Sequence, residues 1–211
     1  MTDAVRDVHI ETGVGMAFAA GSAVWSFDAD LWGTCAQGLH VDQAVEAFTA
    51  EHGPVRTVET INGDEQAFTR DRLPATDDEL AITLDILANQ RARALSLLAQ
   101  APPELLNLDQ SHRGLPEWAT WRSIGDMFWH ICDTESRYYL PRCGLPSRNR
   151  ATTLERELTE SASHVQMVLA SMPRDIDALV GTEEWTSTKF LRRLAWHEAG
   201  ELDVIEDLLR Q

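Results

Sequence analysis

The pattern of hydrophobic and polar positions changes near residue 70. Before that point, short apolar or alternating runs are separated by glycine, which is typical of β-strands. Four such runs predict strands: VHIETG, VGMAFAAG, AVWSF and PVRTVETI. Ahead of the last run, HVDQAVEAFTAEHG predicts a single helix with Asp42 as its N-cap and Gly53 at its end. We therefore expect residues 4–64 to form a small α+β module in which the helix packs across the strands.

After this point the apolar positions recur with a helical period. Four segments are predicted to be long helices: 76–100, 120–140, 153–172 and 187–210. Thr76 and Glu79 predict a capping box at the start of the first helix, and Thr186 is the expected N-cap of the fourth. Pro141 is expected to stop the second helix. Four helices of this length with short connections predict a four-helix bundle.

The chain of 211 residues is long enough for both parts, and the predicted fold class is α+β. A small β-rich module with one helix is expected over residues 1–68, and the four-helix bundle over residues 69–211. With 44% hydrophobic and 25% charged residues, the composition is that of an ordinary soluble globular protein.

Charge and hydropathy disfavour several classes of partner. The formal net charge is −16 and no dense basic cluster offsets it, so binding to nucleic acid is not expected. No apolar run approaches the ~20 residues of a membrane span. The acidic first residues, MTDAVRDVHIETG, do not resemble a secretory signal, so a cytoplasmic location is expected. Cys35, Cys132 and Cys143 show no CxxC spacing, which suits a reducing compartment.

Two of the predicted helices carry histidines on their apolar side. In the fourth helix, His197 and Glu201 are four residues apart and share one face, about 5–6 Å apart at Cβ. In the second helix, His130 lies on or near the apolar stripe. A buried carboxylate must be paired, protonated or bound to a metal. Two imidazoles and one carboxylate are a common zinc ligand set with an open fourth position, and the set also suits nickel, iron or manganese.

Other interpretations compete with this metal site. His197 and Glu201 can form a partly exposed pair near the bundle end, with His130 as a hydrogen-bonded core histidine. Alternatively, HEAGE is similar to the zinc-protease motif HExxH with its last histidine replaced, which would make Glu198 a general base. Glu198 lies about 100° around the helix from His197, toward the polar flank, which disfavours this alternative. His164 on the third helix is a reserve ligand, although its polar neighbours favour a surface position.

Several residues near the ligand positions are candidates for supporting roles. Asp126, one turn before His130, is a candidate to orient the second nitrogen of that ring, although a solvated acid near the helix start is the simpler interpretation. Tyr138 and Tyr139 are candidate hydrogen-bond donors to a substrate. Trp129 and Trp196 adjoin the ligand positions and are candidates to border the site. Ordinary packing is the simpler explanation for these four aromatic residues.

The two ligand-bearing segments resemble the motifs of the DinB-like (DinB/YfiT) superfamily. WRSIGDMFWHICDTESRYYL matches the family's second helix through His130, and EEWTSTKFLRRLAWHEAGELDVIEDLL matches its fourth helix. The resemblance covers about residues 70–211 and implies a four-helix bundle with a metal site. The family usually has an HxxxH pair on the fourth helix, whereas this sequence has Glu201 in place of the last histidine. The implied ligands are His130, His197 and Glu201, with either a changed metal preference or a lost site.

The N-terminal segment VWSFDADLWGTCAQGLHVDQAVEAFTAEHG resembles the HicB-type antitoxin half-domain. That pattern is a strand with an aromatic residue, a glycine-containing turn and a following helix. The turn positions are held here by Trp32, Gly33, Cys35 and Gly38. In this context the resemblance implies a module for assembly, such as a homodimer, or one wall of the site, rather than toxin neutralisation.

The DinB-like resemblance also implies a class of chemistry. Relatives in that superfamily include mycothiol- or bacillithiol-dependent S-transferases and a maleylpyruvate isomerase. The expected function is therefore a metal-dependent enzyme that acts on a small molecule, with zinc or nickel as the metal and a low-molecular-weight thiol as cofactor. The alternatives are a metal-dependent hydrolase or isomerase without a thiol, and a non-catalytic scaffold with a vestigial metal site.

Overall fold

The structure is a computed structural model that describes residues 5–16, 20–110 and 119–210. It has a sheet in its N-terminal part and helices over most of the rest, which confirms the predicted α+β class. The chain divides into two compact units: Met1–Thr83 with Arg174–Arg193, and Leu84–Pro173 with Leu194–Gln211. The predicted boundary between residues 68 and 69 lies inside the first unit, to which the chain returns after Pro173.

The first unit contains a four-stranded sheet with the order β3-β2-β1-β4. Its strands are β1 (Arg6–Val14), β2 (Gly21–Trp25), β3 (Cys35–Gly38) and β4 (Val55–Asn62). β2 is antiparallel to β1 and β3, whereas β4 is parallel to β1. A parallel neighbour requires a crossover connection, which helix α1 (Val41–His52) provides. The core between α1 and the sheet contains Val8, Ile10, Val24, Leu31, Ala44 and Phe48.

One local prediction in this unit is wrong, and another falls partly outside the described ranges. In the run VGMAFAAG, Val14 is the last residue of β1 and Gly21 the first of β2, and residues 17–19 between them lie outside the described ranges. The N-cap of α1 is His40 and not Asp42. Asp42 lies in the first turn, where a negative charge interacts favourably with the helix dipole.

From Asp77 onward the chain is mostly helical. The elements are α2 (Asp77–Gln100), α3 (Pro103–Leu106), α4 (Ile124–Asp133), a π-helical segment (Thr134–Tyr139), α5 (Leu140–Arg142), α6 (Leu154–Ala170), a hairpin of β5 (Asp177–Val180) and β6 (Glu183–Thr186), and α7 (Ser187–Leu209). Helices α2, α4, α6 and α7 contribute to one apolar core in the second unit, which includes Ala94, Ile124, Met127, Phe128, Ile131, Leu158, Leu202 and Ile205. Within the described ranges, every helix is too short or too polar to cross a membrane.

The second predicted helix differs from α4 at both ends. α4 begins at Ile124, because Ser123 and Asp126 form a capping box there, with each side chain accepting from the other's backbone N–H at 3.1 Å. Asp126 is therefore a capping residue, which agrees with the simpler of its two interpretations. Pro141 does not stop the helix, since helical turns continue to Arg142. A proline in the first turn of a helical segment needs no N–H donor.

The predicted capping box at the start of α2 is confirmed. The Glu79 N–H donates to Thr76 Oγ1 at 3.1 Å, and the Thr76 N–H donates to Glu79 Oε2 at 2.7 Å.

We expect Thr76→Ala to lower the free energy of unfolding by about 1 kcal/mol, because a helix N–H loses its acceptor. Thr76→Ser keeps the hydroxyl and should match the parent in urea denaturation. Equal stability of all three proteins would contradict this role.

Helix α7 begins with charged residues that are buried, which the sequence pattern did not predict. Arg192 is fully buried and donates to the two carboxylate oxygens of Asp71 at 3.2 and 2.8 Å. Arg193 donates to Glu11 at 2.7 Å, and Glu11 also accepts from Trp25 Nε1 at 2.9 Å. The core of the first unit tolerates these charges because each guanidinium contacts a carboxylate.

Candidate metal site

Three predicted ligands from two helices meet in the second unit. His130 lies on α4, and His197 and Glu201 lie one turn apart on α7. The Nε2 atoms of the two histidines are 3.2 Å apart, and Glu201 Oε1 is 3.7 Å from His130 Nε2. One ligand atom from each residue falls within 4.8 Å of the other two. His197 is buried, and His130 and Glu201 are half-buried, so the group lies at the edge of the core.

Neighbouring side chains orient the His130 ring. Its Nδ1 atom is 3.4 Å from the hydroxyl of Thr134, which lies four residues later at the start of the π-helical segment. The ring of Trp121 stacks on it with centroids 3.6 Å apart and planes inclined by 9°. These two contacts hold the ring with Nε2 directed at His197. The hydroxyl can donate to Nδ1 or accept from it, and the tautomer with the proton on Nδ1 is the one that leaves the Nε2 lone pair for a metal ion.

Aromatic rings also surround His197. The ring of Tyr139 meets it edge-on with centroids 5.9 Å apart, and the ring of Trp196 does so at 6.1 Å. The rings of His130 and His197 are themselves inclined by 64°, with centroids 5.0 Å apart. The inclination lets both Nε2 atoms approach the same point from different directions.

Burial keeps the His130 ring neutral. Loss of hydration lowers the pKa of His130 to about 4, and the nearby Asp133 carboxylate only partly opposes this. A histidine with such a pKa is an unprotonated imidazole at neutral pH. Its Nε2 lone pair is then available to accept a hydrogen bond or to bind a metal ion.

The spacing of the three ligand atoms fits a small divalent ion. Two nitrogen ligands about 2.0–2.1 Å from zinc at a tetrahedral angle lie about 3.3 Å from each other. The measured Nε2 to Nε2 distance is 3.2 Å. The distance from His130 Nε2 to Glu201 Oε1 is longer, 3.7 Å. The same 3.2 Å also suits a hydrogen bond between two neutral imidazoles, so occupancy has to be tested directly.

The other sequence candidates have different surroundings. Trp129 packs under the guanidinium of Arg150, 5.1 Å from the ring centroid. Tyr138 is 38% exposed and packs against Arg142. His164 is half-buried, with its Nε2 2.9 Å from the carbonyl oxygen of Pro146, and it is not part of the three-ligand group.

Sequence reasoning gave Trp121 and Thr134 no role at the histidines and named Tyr139 only as a candidate donor to a substrate, yet all three contact the histidine rings. Thr134 carries a usable signal, since its position four residues after His130 places it on the same helical face. The contact of Tyr139 with His197 has no such signal, because a regular helix would place Tyr138 there. Trp121 precedes α4, so helical periodicity gives no information about where its ring lies.

Glu198, the general base of the protease-like alternative, is bound to an arginine. It is buried, and its Oε1 accepts from Arg91 Nε at 2.8 Å. Burial and the neighbouring Glu135 carboxylate raise the pKa of Glu198 to about 8. The side chain is thus engaged by the core of this unit, and the ligand group of the metal site does not include it.

The cysteines are free thiols. Cys132 is buried in α4, and burial raises its pKa to about 12, so its role is packing.

The chain matches no protein-family model, no curated protein and no solved structure. The resemblances to DinB-like and HicB-like domains therefore stay predictions based on short motifs.

Proposed function

We propose that the protein binds one divalent metal ion through His130, His197 and Glu201 and uses it in an enzymatic reaction on a small molecule. The observation that carries this proposal is the convergence of two Nε2 atoms and one carboxylate oxygen within 4.8 Å. Two nitrogen ligands and one oxygen ligand leave the fourth tetrahedral position open, as in catalytic zinc sites. Zinc and nickel are the proposed ions, since both accept imidazole and carboxylate ligands.

We further propose that α2, α4, α6 and α7 form a DinB-like four-helix bundle. Two observations support it: these helices match the four predicted helical segments, and their apolar residues share one core. Ligands that project from facing helices are typical of metal sites in bundles. His130 on α4 and His197 on α7 follow this arrangement.

Thiol transfer is the proposed chemistry, as the DinB-like resemblance implies. An open metal position binds a thiol, lowers its pKa and holds the thiolate as a nucleophile. The protein side chains then have defined tasks. Thr134 and Trp121 hold the His130 ring, while Tyr139 and Trp196 border His197 and exclude water from it.

Metal content is the first test of the proposal. Protein purified without a histidine tag should contain about one equivalent of zinc or nickel per chain. Removing the metal with a chelator should lower the melting temperature, and adding zinc should restore it, because a ligand that binds only the folded state stabilises it. If the protein takes up no metal even after zinc is added, the 3.2 Å contact is a histidine–histidine hydrogen bond. The catalytic proposal then fails, and a scaffold role replaces it.

The same preparation distinguishes the chemistries once metal is bound. Cobalt(II) replaces zinc and reports its ligands by absorption. Addition of mycothiol or bacillithiol should produce a thiolate-to-cobalt charge-transfer band. An unchanged cobalt spectrum with both thiols would reject thiol transfer and leave a hydrolase or isomerase that acts without a thiol.

A further inference from the structure

We propose that Arg91 is a positioning residue of the metal site, although it contacts none of the three ligands. Its guanidinium binds Glu198, which follows His197, and Glu135, which follows Thr134. These contacts hold α7 and the π-helical segment in the relative position at which the His130 and His197 rings meet. This inference rests on the proposed metal function of the site.

Arg91 connects four helical elements inside the second unit. It lies on α2 and is 6% exposed. Nε donates to Glu198 of α7 at 2.8 Å, and Nη2 donates to Glu135 of the π-helical segment at 2.7 Å. Nη1 donates to the carbonyl oxygen of Leu158 on α6. The planar guanidinium fixes the directions of its donors, so the three partners are held in one geometry.

Each carboxylate bound by Arg91 belongs to a residue that directly follows either a metal ligand or a residue in contact with one. Glu198 directly follows His197 on α7. Glu135 directly follows Thr134, whose hydroxyl lies 3.4 Å from His130 Nδ1. A shift of either carboxylate therefore moves the backbone that carries a ligand or its hydrogen-bond partner. Such outer partners orient metal ligands, and changing them typically weakens metal affinity by about 10–100-fold.

The π-helical segment explains why the position of Thr134 beside His130 has to be held by a contact with another helix. π-helical hydrogen bonds join residues five apart instead of four, which inserts one extra residue into the helix, and such segments occur often at functional sites. The segment here starts at Thr134, directly after the helix that carries His130. Glu135 is buried in its first turn, and Arg91 binds it. The position of the extra residue is thus determined by a contact with α2 and not by helix geometry alone.

Removing Arg91 alone would leave two buried carboxyl groups without their partner, so the decisive variant replaces the three ionisable side chains together. Arg91→Met/Glu135→Gln/Glu198→Gln has a neutral core of similar volume. Arg91→Lys keeps the charge but loses the planar fork. Arg93→Met is the matched control, because Arg93 also lies on α2 and pairs with Asp203 and Glu206 of α7 without touching the residues beside the ligands.

Two readouts separate positioning from general destabilisation, each measured on protein that circular dichroism shows to be folded. Cobalt(II) affinity by competition with a chelator, together with the cobalt spectrum, reports the ligand geometry. In metal-free protein, the ring nitrogen resonances of His130 and His197 report the relative position of the two rings. The His164 ring, which lies on α6 outside the ligand group, provides the internal reference.

We expect the triple variant to bind cobalt(II) about 10–100-fold more weakly, with an altered spectrum, and Arg91→Lys to be weakened in the same direction. The Arg93→Met control should match the parent. Parent-like affinity, spectrum and ring resonances in the triple variant, or in Arg91→Lys if the triple variant does not fold, would overturn the proposal.

If the parent binds no metal, the proposed function fails separately. Shifted ring resonances would then still support positioning by Arg91, and unshifted ones would refute it.

Discussion

Replacing His130 or His197 with alanine is expected to yield protein without stoichiometric metal. Each imidazole supplies one of three protein ligands, and the loss of a direct ligand should weaken binding by more than the ~10–100-fold that outer partners contribute. Glu201→Ala should also lose the metal, whereas Glu201→His restores a third imidazole and should retain it. Elemental analysis of each purified variant, and zinc affinity measured by chelator competition, provide the comparison.

His164→Ala is the matched control for these variants. This histidine is half-buried on α6, contacts the carbonyl oxygen of Pro146 and lies outside the three-ligand group, so its loss should leave the metal content unchanged. Parent-like metal content in both His130→Ala and His197→Ala would show that the metal binds elsewhere. Loss of metal in His164→Ala would also argue against the three-ligand site.

Asp71→Asn is expected to have the largest effect on stability, with a loss of about 3–5 kcal/mol in the free energy of unfolding. Arg192 and Asp71 are both fully buried, and two hydrogen bonds of 2.8 and 3.2 Å join them. Neutral asparagine leaves the guanidinium with one carboxylate contact, to Glu11 at 3.4 Å, besides its packing against the rings of Trp25, Phe27 and Phe68. Domains are stable by only about 5–15 kcal/mol, so the variant should denature at much lower urea concentration.

Two further variants identify the buried charge as the cause. Asp71→Asn/Arg192→Met removes both charges and should recover part of the stability lost in Asp71→Asn, because no unpaired ion remains in the core. Asp7→Asn breaks an exposed ion pair with Arg56 in the same unit and should have little effect. A double variant that is less stable than the single variant would show that Arg192 stabilises the fold through its other contacts.

Elements with strong local signals were predicted well. The capping box of Thr76 and Glu79 locates the start of α2 within one residue, and Thr186 accepts from the Lys189 N–H at 3.2 Å as the cap of α7. Strands β3, β5 and β6 were missed, since four residues are too few for an alternating pattern to be detected. Such short strands form because a neighbouring strand supplies the hydrogen bonds, which is information from elsewhere in the chain.

The π-helical segment shows how one insertion changes which side chain faces inward. The α-helical period predicts that Tyr138 continues the apolar stripe of the second helix. In the structure Tyr139 is 7% exposed and meets His197, whereas Tyr138 is 38% exposed. The extra residue inserted by the π-helical turn shifts the apolar stripe by one position along the sequence. Buried contacts of Glu135 and Ser136 accompany this shift, and helical periodicity does not encode them.

The sequence by itself determined that His197 and Glu201 share one face of a helix, because residues four apart are adjacent in any α-helix. It also determined the α+β class, through two different periods of apolar residues. Only the tertiary structure decided that His130 lies 3.2 Å from His197, and that Arg192 is buried beside Asp71. Those distances join residues far apart in sequence and depend on how the side chains between them pack. Periodicity encodes local geometry alone, so contacts between elements are set by the packed core.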